Sequence, residues 1–190
     1  MTFSPIIFAK HRQGTVPAQN AYRKLECQVV IDFSGFETTP FLNKELGINL
    51  NKLIAPGLGI QGVFANGDSY AVYYFSETAY RFVLGQEAAN TLVALVADHE
   101  HEYDIELMRR DDLAIGQICG QSAFDSLLTH FSLTPGLGIS DLQTCYGKQS
   151  GDVFVTTLLQ DGIQQHQLIA QAKPLLAWQE KLSAEGFSVN

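Results

Sequence analysis

Basic residues are scarce in this 190-residue chain: 12 Lys and Arg stand against 20 Asp and Glu, a net charge of −8. The basic pairs His11-Arg12 and Arg23-Lys24 are too thin to neutralise a phosphate backbone, so a nucleic-acid partner is excluded. Cysteine is scarce too, with only Cys27, Cys119 and Cys145 and no CxxC spacing. They read as reduced core thiols in a cytoplasmic protein, with one disulfide pair and a free thiol as the alternative. No apolar run reaches the 18 residues that would suggest a membrane span. Met1 to Lys10 has no basic start and no small-residue cleavage site, so no secretory signal is expected. What is present is an ordinary globular balance, 46% hydrophobic and 17% charged, which excludes a disordered chain.

The chain also repeats itself. Pro56-Gly57-Leu58-Gly59-Ile60 returns as Pro135-Gly136-Leu137-Gly138-Ile139, and Gly67-Asp68 returns as Gly151-Asp152. At the second offset, Leu84 meets Leu168 and Ala88 meets Ala172. These matches predict an α+β fold built by internal duplication of an α-β-β-β-α unit, with antiparallel meanders covered by helices. The expected division is an N-terminal arm and first strand over 1–35, unit one over 36–110 and unit two over 111–190.

Local signals place the elements. Leu25 to Phe33 is rich in Val and Ile and reads as a strand. Thr38-Thr39-Pro40 reads as a helix start. Ile60–Phe64, Tyr70–Phe75 and Tyr80–Leu84 read as strands, joined by turns at Asn66-Gly67-Asp68 and Glu77-Thr78. Gln86–Val96 reads as a helix, and the alternation from Tyr103 to Met108 as a strand added to either sheet. Unit two follows with a helix over Ser122–Phe131, strands near Leu142–Tyr146, Val153–Leu159 and Gln164–Ala170, and a helix over Ala172–Ala184. The Pro-Gly-Leu-Gly segment precedes a strand and has no lysine nearby, so it reads as a connector and not as a phosphate loop.

Candidate chemistry is thin. In Asp98-His99-Glu100-His101-Glu102-Tyr103-Asp104 an extended backbone would put His99 and His101 on one face, two imidazoles for a metal, with His130 or His166 as a third ligand. A solvated acidic linker is the favoured alternative, so no metal and no cofactor are expected. Cys119 in Ile-Cys-Gly and Cys27 beside Leu25 and Val29 read as core residues. His166 aligns with Phe82, which predicts a packed position. Asp68 and Asp152 read as turn residues. Alternation puts Tyr70, Val72 and Tyr74 on one face of their strand and Tyr73 and Phe75 on the other, so both faces are apolar.

Leu127-Leu128-Thr129-His130-Phe131-Ser132-Leu133-Thr134-Pro135-Gly136-Leu137-Gly138-Ile139, continuing to Ala170, resembles the class I chaperones of type III secretion, the Tir-chaperone type. That family carries one such unit per chain and dimerises, so the resemblance implies a fused pseudo-dimer that binds other proteins. The function expected is a non-enzymatic protein-binding module, a secretion-chaperone-like adaptor, with Tyr73, Phe75 and Phe154 as partner-binding anchors. The partner expected is a protein with a basic surface or an extended segment. The alternatives are an immunity protein neutralising a basic toxin, and a metal-dependent enzyme using His99 and His101.

Overall fold

The computed structural model describes residues 19–131, 144–160 and 163–190. The elements run β1 (Ala21–Lys24), β2 (Gln28–Ser34), α1 (Thr38–Lys44), a single 3-10 turn (Leu50–Lys52), β3 (Leu58–Val63), β4 (Ser69–Ser76), β5 (Ala79–Gly85), α2 (Gln86–Asp98) and β6 (Glu106–Arg109). They continue with β7 (Ala114–Cys119), α3 (Ala123–Phe131), β8 (Thr144–Ser150), β9 (Val153–Gln160), β10 (Ile163–Ala170), α4 (Ala172–Ala184) and β11 (Ser188–Val189). The fold is mixed α and β, and mostly sheet.

All eleven strands share one sheet, in the order β11-β1-β7-β10-β9-β8-β3-β4-β5-β2-β6. Neighbours are antiparallel except β1 with β11. The sheet curls. Strands β7 and β2 stand seven places apart, roughly 34 Å if the sheet were flat at about 4.8 Å per strand. Yet Val30 of β2 and Ile115 of β7 belong to one buried cluster, with Tyr73, Cys145 and Phe154 between them. Two backbone bonds lengthen the flanking ladders, β1 with β7 and β2 with β6. Leu25 N–H donates to Ile115 O at 2.9 Å, and Arg110 N–H donates to Val30 O at 2.9 Å.

The curl makes three apolar layers. Helices α1 and α2 cover the outer face of the β3–β6 half, with Leu92 of α2 in the same cluster as Ile31, Phe33 and Phe82. Helices α3 and α4 cover the outer face of the β7–β10 half, with Leu127 and Leu182 in the same cluster as Ile118 and Leu168. The third layer lies between the two inner sheet faces. Burying both faces of the central strands removes apolar area at about 25 cal/mol per Å² from water on each side.

The two halves meet where β3 pairs with β8, in the register Leu58 to Tyr146, Gly59 to Cys145 and Ile60 to Thr144. Here the first Pro-Gly-Leu-Gly segment explains itself. Gly57 has φ +93°, donates to Tyr74 O at 2.8 Å and accepts from Gly147 N at 2.7 Å. A Cβ on Gly59 would lie 2.6 Å from Val72 O and 2.7 Å from the Cys145 thiol. The segment opens the strand, and it makes the close approach between the halves possible. Its second copy, Pro135 to Ile139, lies outside the described residues, as do residues 1–18 of the expected arm.

Most elements stand where the sequence placed them. Strands β7 and β11 were not expected, and two expected elements differ. The expected strand Leu25–Phe33 is broken by a turn at Glu26-Cys27, so Cys27 is exposed and not a core residue. Before that turn β1 pairs with β7; after it β2 pairs with β5 and β6. One straight strand cannot serve both halves of a curled sheet, so the expected unit of residues 1–35 is divided between them. The segment 98–104 is not extended either. It holds the end of α2 and turns, with β6 beginning only at Glu106.

Candidate functional site

The inner layer has two ends with different chemistry. At one end Asp32 and Arg81 face each other across β2 and β5. Arg81 donates through Nε to Oδ1 at 2.7 Å and through Nη2 to Oδ2 at 2.9 Å. Arg110 adds a bond from Nη1 to Oδ2 at 2.8 Å, and grips Asp112 with two bonds of 2.8 Å. The Arg110 bonds hold the Asp112 carboxyl down at about 2, and the Asp112 and Asp32 bonds together raise the Arg110 guanidinium. The Arg81 guanidinium also lies 5.5 Å from the Phe75 ring centre and 5.3 Å from that of Phe154. This end is closed: its charges are matched and stacked.

The opposite end is open. A cavity of about 290 Å³ lies there, with Gln28 and Gln61 on one side and Arg23, Gln117 and Gln167 on the other. Its floor is Val83 and Leu158. Gln117 and Gln167 are buried. Two hydrogen-bond chains organise the amides. Arg23 Nε donates to Gln117 Oε1, and Gln117 Nε2 donates to Gln165 Oε1. Thr156 Oγ1 donates to Gln167 Oε1 at 3.4 Å, and Gln167 Nε2 donates to Gln28 Oε1 at 3.4 Å. Among the described residues the lining holds no carboxylate, imidazole or thiol. It supplies hydrogen bonds and one positive charge, with no acid–base pair and no nucleophile of the usual kinds.

The structure separates the residues singled out from sequence. Tyr73 and Phe154 are fully buried, ring centres 5.3 Å apart and edge to face, at the heart of the inner layer. They are core side chains and present no anchor to a partner. Phe75 is half-buried against them. The Tyr73 hydroxyl has no well-formed hydrogen bond among the described residues, and burial raises its pKa. The neighbouring Cys145 thiol is buried and pushed up to about 12.

His99 follows the end of α2, its Nε2 3.6 Å from Glu45 and its Nδ1 3.3 Å from Glu102. His101 is exposed beside Glu100. His166 is buried, accepts or donates at Nδ1 to Thr157 Oγ1 at 2.9 Å, stacks on Phe124, and is pushed down to about 4 by burial. His130 bonds Glu185 at 2.7 Å. Among the described residues no group of three or more His, Cys, Asp or Glu is placed to hold a metal ion. His166 thus takes the packed position its alignment with Phe82 predicted.

Sequence reading passed over the glutamines. A signal was there: Gln117 interrupts the apolar run Ala-Ile-Gly-Gln-Ile-Cys, and Gln165 and Gln167 sit two apart in one strand. Polar residues at face-inward spacing in apolar strands need partners, and here they find one another.

No family model matches the chain. Among solved structures, the chain is similar to the glycine cleavage system aminomethyltransferase T from Bartonella henselae, with a TM-score of 0.72 and 17% identity over 92% of this chain and 48% of that one. It thus spans about half the length of that enzyme. It is also similar to a chain of the heterotetrameric sarcosine oxidase from Corynebacterium sp. U-96, a structure in complex with pyrrole 2-carboxylate. There the TM-score is 0.63 and the identity 12%, over 87% of this chain and 84% of that one. At these identities the likeness is one of fold.

Proposed function

We propose that this protein is a non-enzymatic binding module whose open seam cavity takes a small polar molecule. The observation that carries the reading is the pair of buried glutamines, Gln117 and Gln167, turned into a cavity between the two halves. Buried amides limit which ligands fit, because any group that leaves them unpaired is penalised. The cavity is at the small end of ligand pockets, which run about 300–1,000 Å³. Titration with a panel of small polar ring compounds should move the side-chain amide NMR signals of Gln117 and Gln167 and leave Asn90 on the outer face unmoved. If no compound moves them, the cavity is only a packing gap and the reading falls.

A protein partner is the second reading, in keeping with the adaptor expected from sequence. The comparison favours it in one respect: the similar sarcosine oxidase chain, 84% of it matched, belongs to a heterotetramer. Among the described residues strand β6 lies at a sheet edge and pairs only with β2, so an extended segment can add to it. Affinity purification from the native cell extract should bring down a second chain in stoichiometric amount. Recovery of the 20.9 kDa chain alone would count against a stable complex.

We also infer that the halves descend from one duplicated unit. Strand order supports this, since β7-β10-β9-β8 on one side of the seam mirrors β3-β4-β5-β2 on the other. Helices α2 and α4 both have 13 residues. A hollow beside α2 is lined by Ala88, Thr91, Leu92 and Leu95, and one beside α4 by Pro174, Ala177, Trp178 and Lys181, each 86 positions on. That offset matches the helix starts and differs by two from the sequence match of Ala88 with Ala172. The two hairpin turns differ in length, which places Gly67 and Gly151 in similar and not identical settings, with φ of +93° and +56°.

A further inference from the structure

We propose that the seam cavity selects ligands carrying a carboxylate, which sits against the Arg23 guanidinium and the Gln28 amide nitrogen. The inference rests on the reading of this cavity as a ligand site, and it follows from the direction of the hydrogen bonds that line it.

An arginine Nε only donates, so the atom of Gln117 that meets it is the amide oxygen. That choice turns the Gln117 nitrogen toward Gln165, whose oxygen accepts. In the second chain Gln28 accepts from Gln167 through its oxygen, which leaves its own NH2 group to donate. Both chains therefore consume acceptors inside the wall. At the rim they leave donors: the NH2 of Gln28 and the two terminal nitrogens of Arg23, which bond to none of the described residues. Arg23 and Gln28 are both exposed at the mouth, so these donors reach solvent.

A rim rich in donors, with one fixed positive charge, complements an anion. A planar guanidinium with two parallel N–H groups suits the planar, two-oxygen edge of a carboxylate. Among the described residues a cation finds no carboxylate in the lining to meet it. The apolar floor of Val83 and Leu158 suits the body of a small ring or short chain behind that acid group. The net charge of −8 opposes an anion at long range, so recognition rests on contact and is best measured at about 0.15 M salt, where the screening length is about 8 Å.

The test is an NMR titration of the full ¹⁵N-labelled chain with matched probes: benzoate against benzamide, nicotinate against nicotinamide, and inorganic phosphate alone. The acid of each pair should bind about tenfold more tightly than its amide, moving the side-chain signals of Gln28 and Gln117. Arg23→Gln should reduce that preference to less than about twofold. Gln28→Glu, a same-sized change at an exposed position, should reverse it, and an unchanged backbone spectrum shows that the fold is kept. Equal affinity for acid and amide at those same signals, or preference for phosphate, overturns the carboxylate while leaving the cavity a ligand site. If no probe moves those signals, the ligand-site reading fails and the carboxylate inference with it.

Discussion

The two ends of the inner layer use the same kinds of residue to opposite effect. At the closed end an arginine pair is matched by Asp32 and Asp112, and Arg81 is only 12% exposed. At the open end Arg23 has no carboxylate partner among the described residues, and glutamines stand where the other end has acids. The difference separates structure from function. A guanidinium held by carboxylates on two sides ties strands together and has nothing left to offer. One held only through its Nε, by a neutral amide, is positioned and still has donors to give.

Breaking the closed end should have the largest effect. Asp32→Ala leaves Arg81 and Arg110 facing each other without their shared counter-charge. A loss of about 3 kcal/mol in urea unfolding is expected, near the low end for a buried pair because Asp32 is partly exposed. A loss below about 1 kcal/mol would mean that this end is solvated and the contrast is overdrawn.

A loss of similar size should appear with acid, and it belongs to neither end. His166 is held at about 4 against an ordinary value near 6.5, because burial disfavours its charged form. Between those values the unfolded chain binds the proton and the folded chain does not. Stability from this group is therefore full above pH 6.5 and falls by about 3 kcal/mol as pH drops to 4. His166→Gln should flatten the curve over that range. Asp112 acts lower: its contribution is present above about 3.8 and is lost as pH falls through about 2. A His166→Gln curve that still bends between pH 6.5 and 4 would move the sensor elsewhere.

At the seam between the ends, Gly59→Ala should cost about 2 kcal/mol, since the new methyl meets the Val72 carbonyl and the Cys145 thiol at under 3 Å. Thermal unfolding measures it, and a neutral result would show that β3 and β8 can separate slightly. The smallest effect should come from Arg23→Gln, less than about 0.5 kcal/mol on stability, as for other surface changes. If Arg23→Gln destabilises as much as Asp32→Ala, the open end is structural after all, and the distinction between the two ends collapses.

Local order was legible from sequence wherever it depends on neighbours in the chain. Helix α4 begins and ends at the residues read from its pattern, Ala172 and Ala184, because a 3.6-residue apolar stripe and strand-ending Ala170-Gln171 are local facts. The hairpin at Asn66-Gly67-Asp68 is fixed by its own side chains, with Asp68 N–H donating to Asn66 Oδ1 at 3.1 Å. Even the two-faced character of β4 was visible in Tyr70-Ala71-Val72-Tyr73-Tyr74-Phe75, and its two faces do fall in different cores.

What that second face meets could not be read the same way. Alternation says that Tyr73 and Phe75 point together; it cannot say whether water, a partner or another part of the chain covers them. The curl of the sheet answers by bringing Phe154 onto Tyr73 from a strand 81 residues on, which turns two expected surface anchors into core. The same long-range contact assembles Arg23, Gln28, Gln117 and Gln167 at one mouth, from four strands that carry no shared motif. Periodicity within a strand determines which side chains share a face. Only the closure of the sheet on itself decides which faces are buried, and so which polar groups are left at an opening.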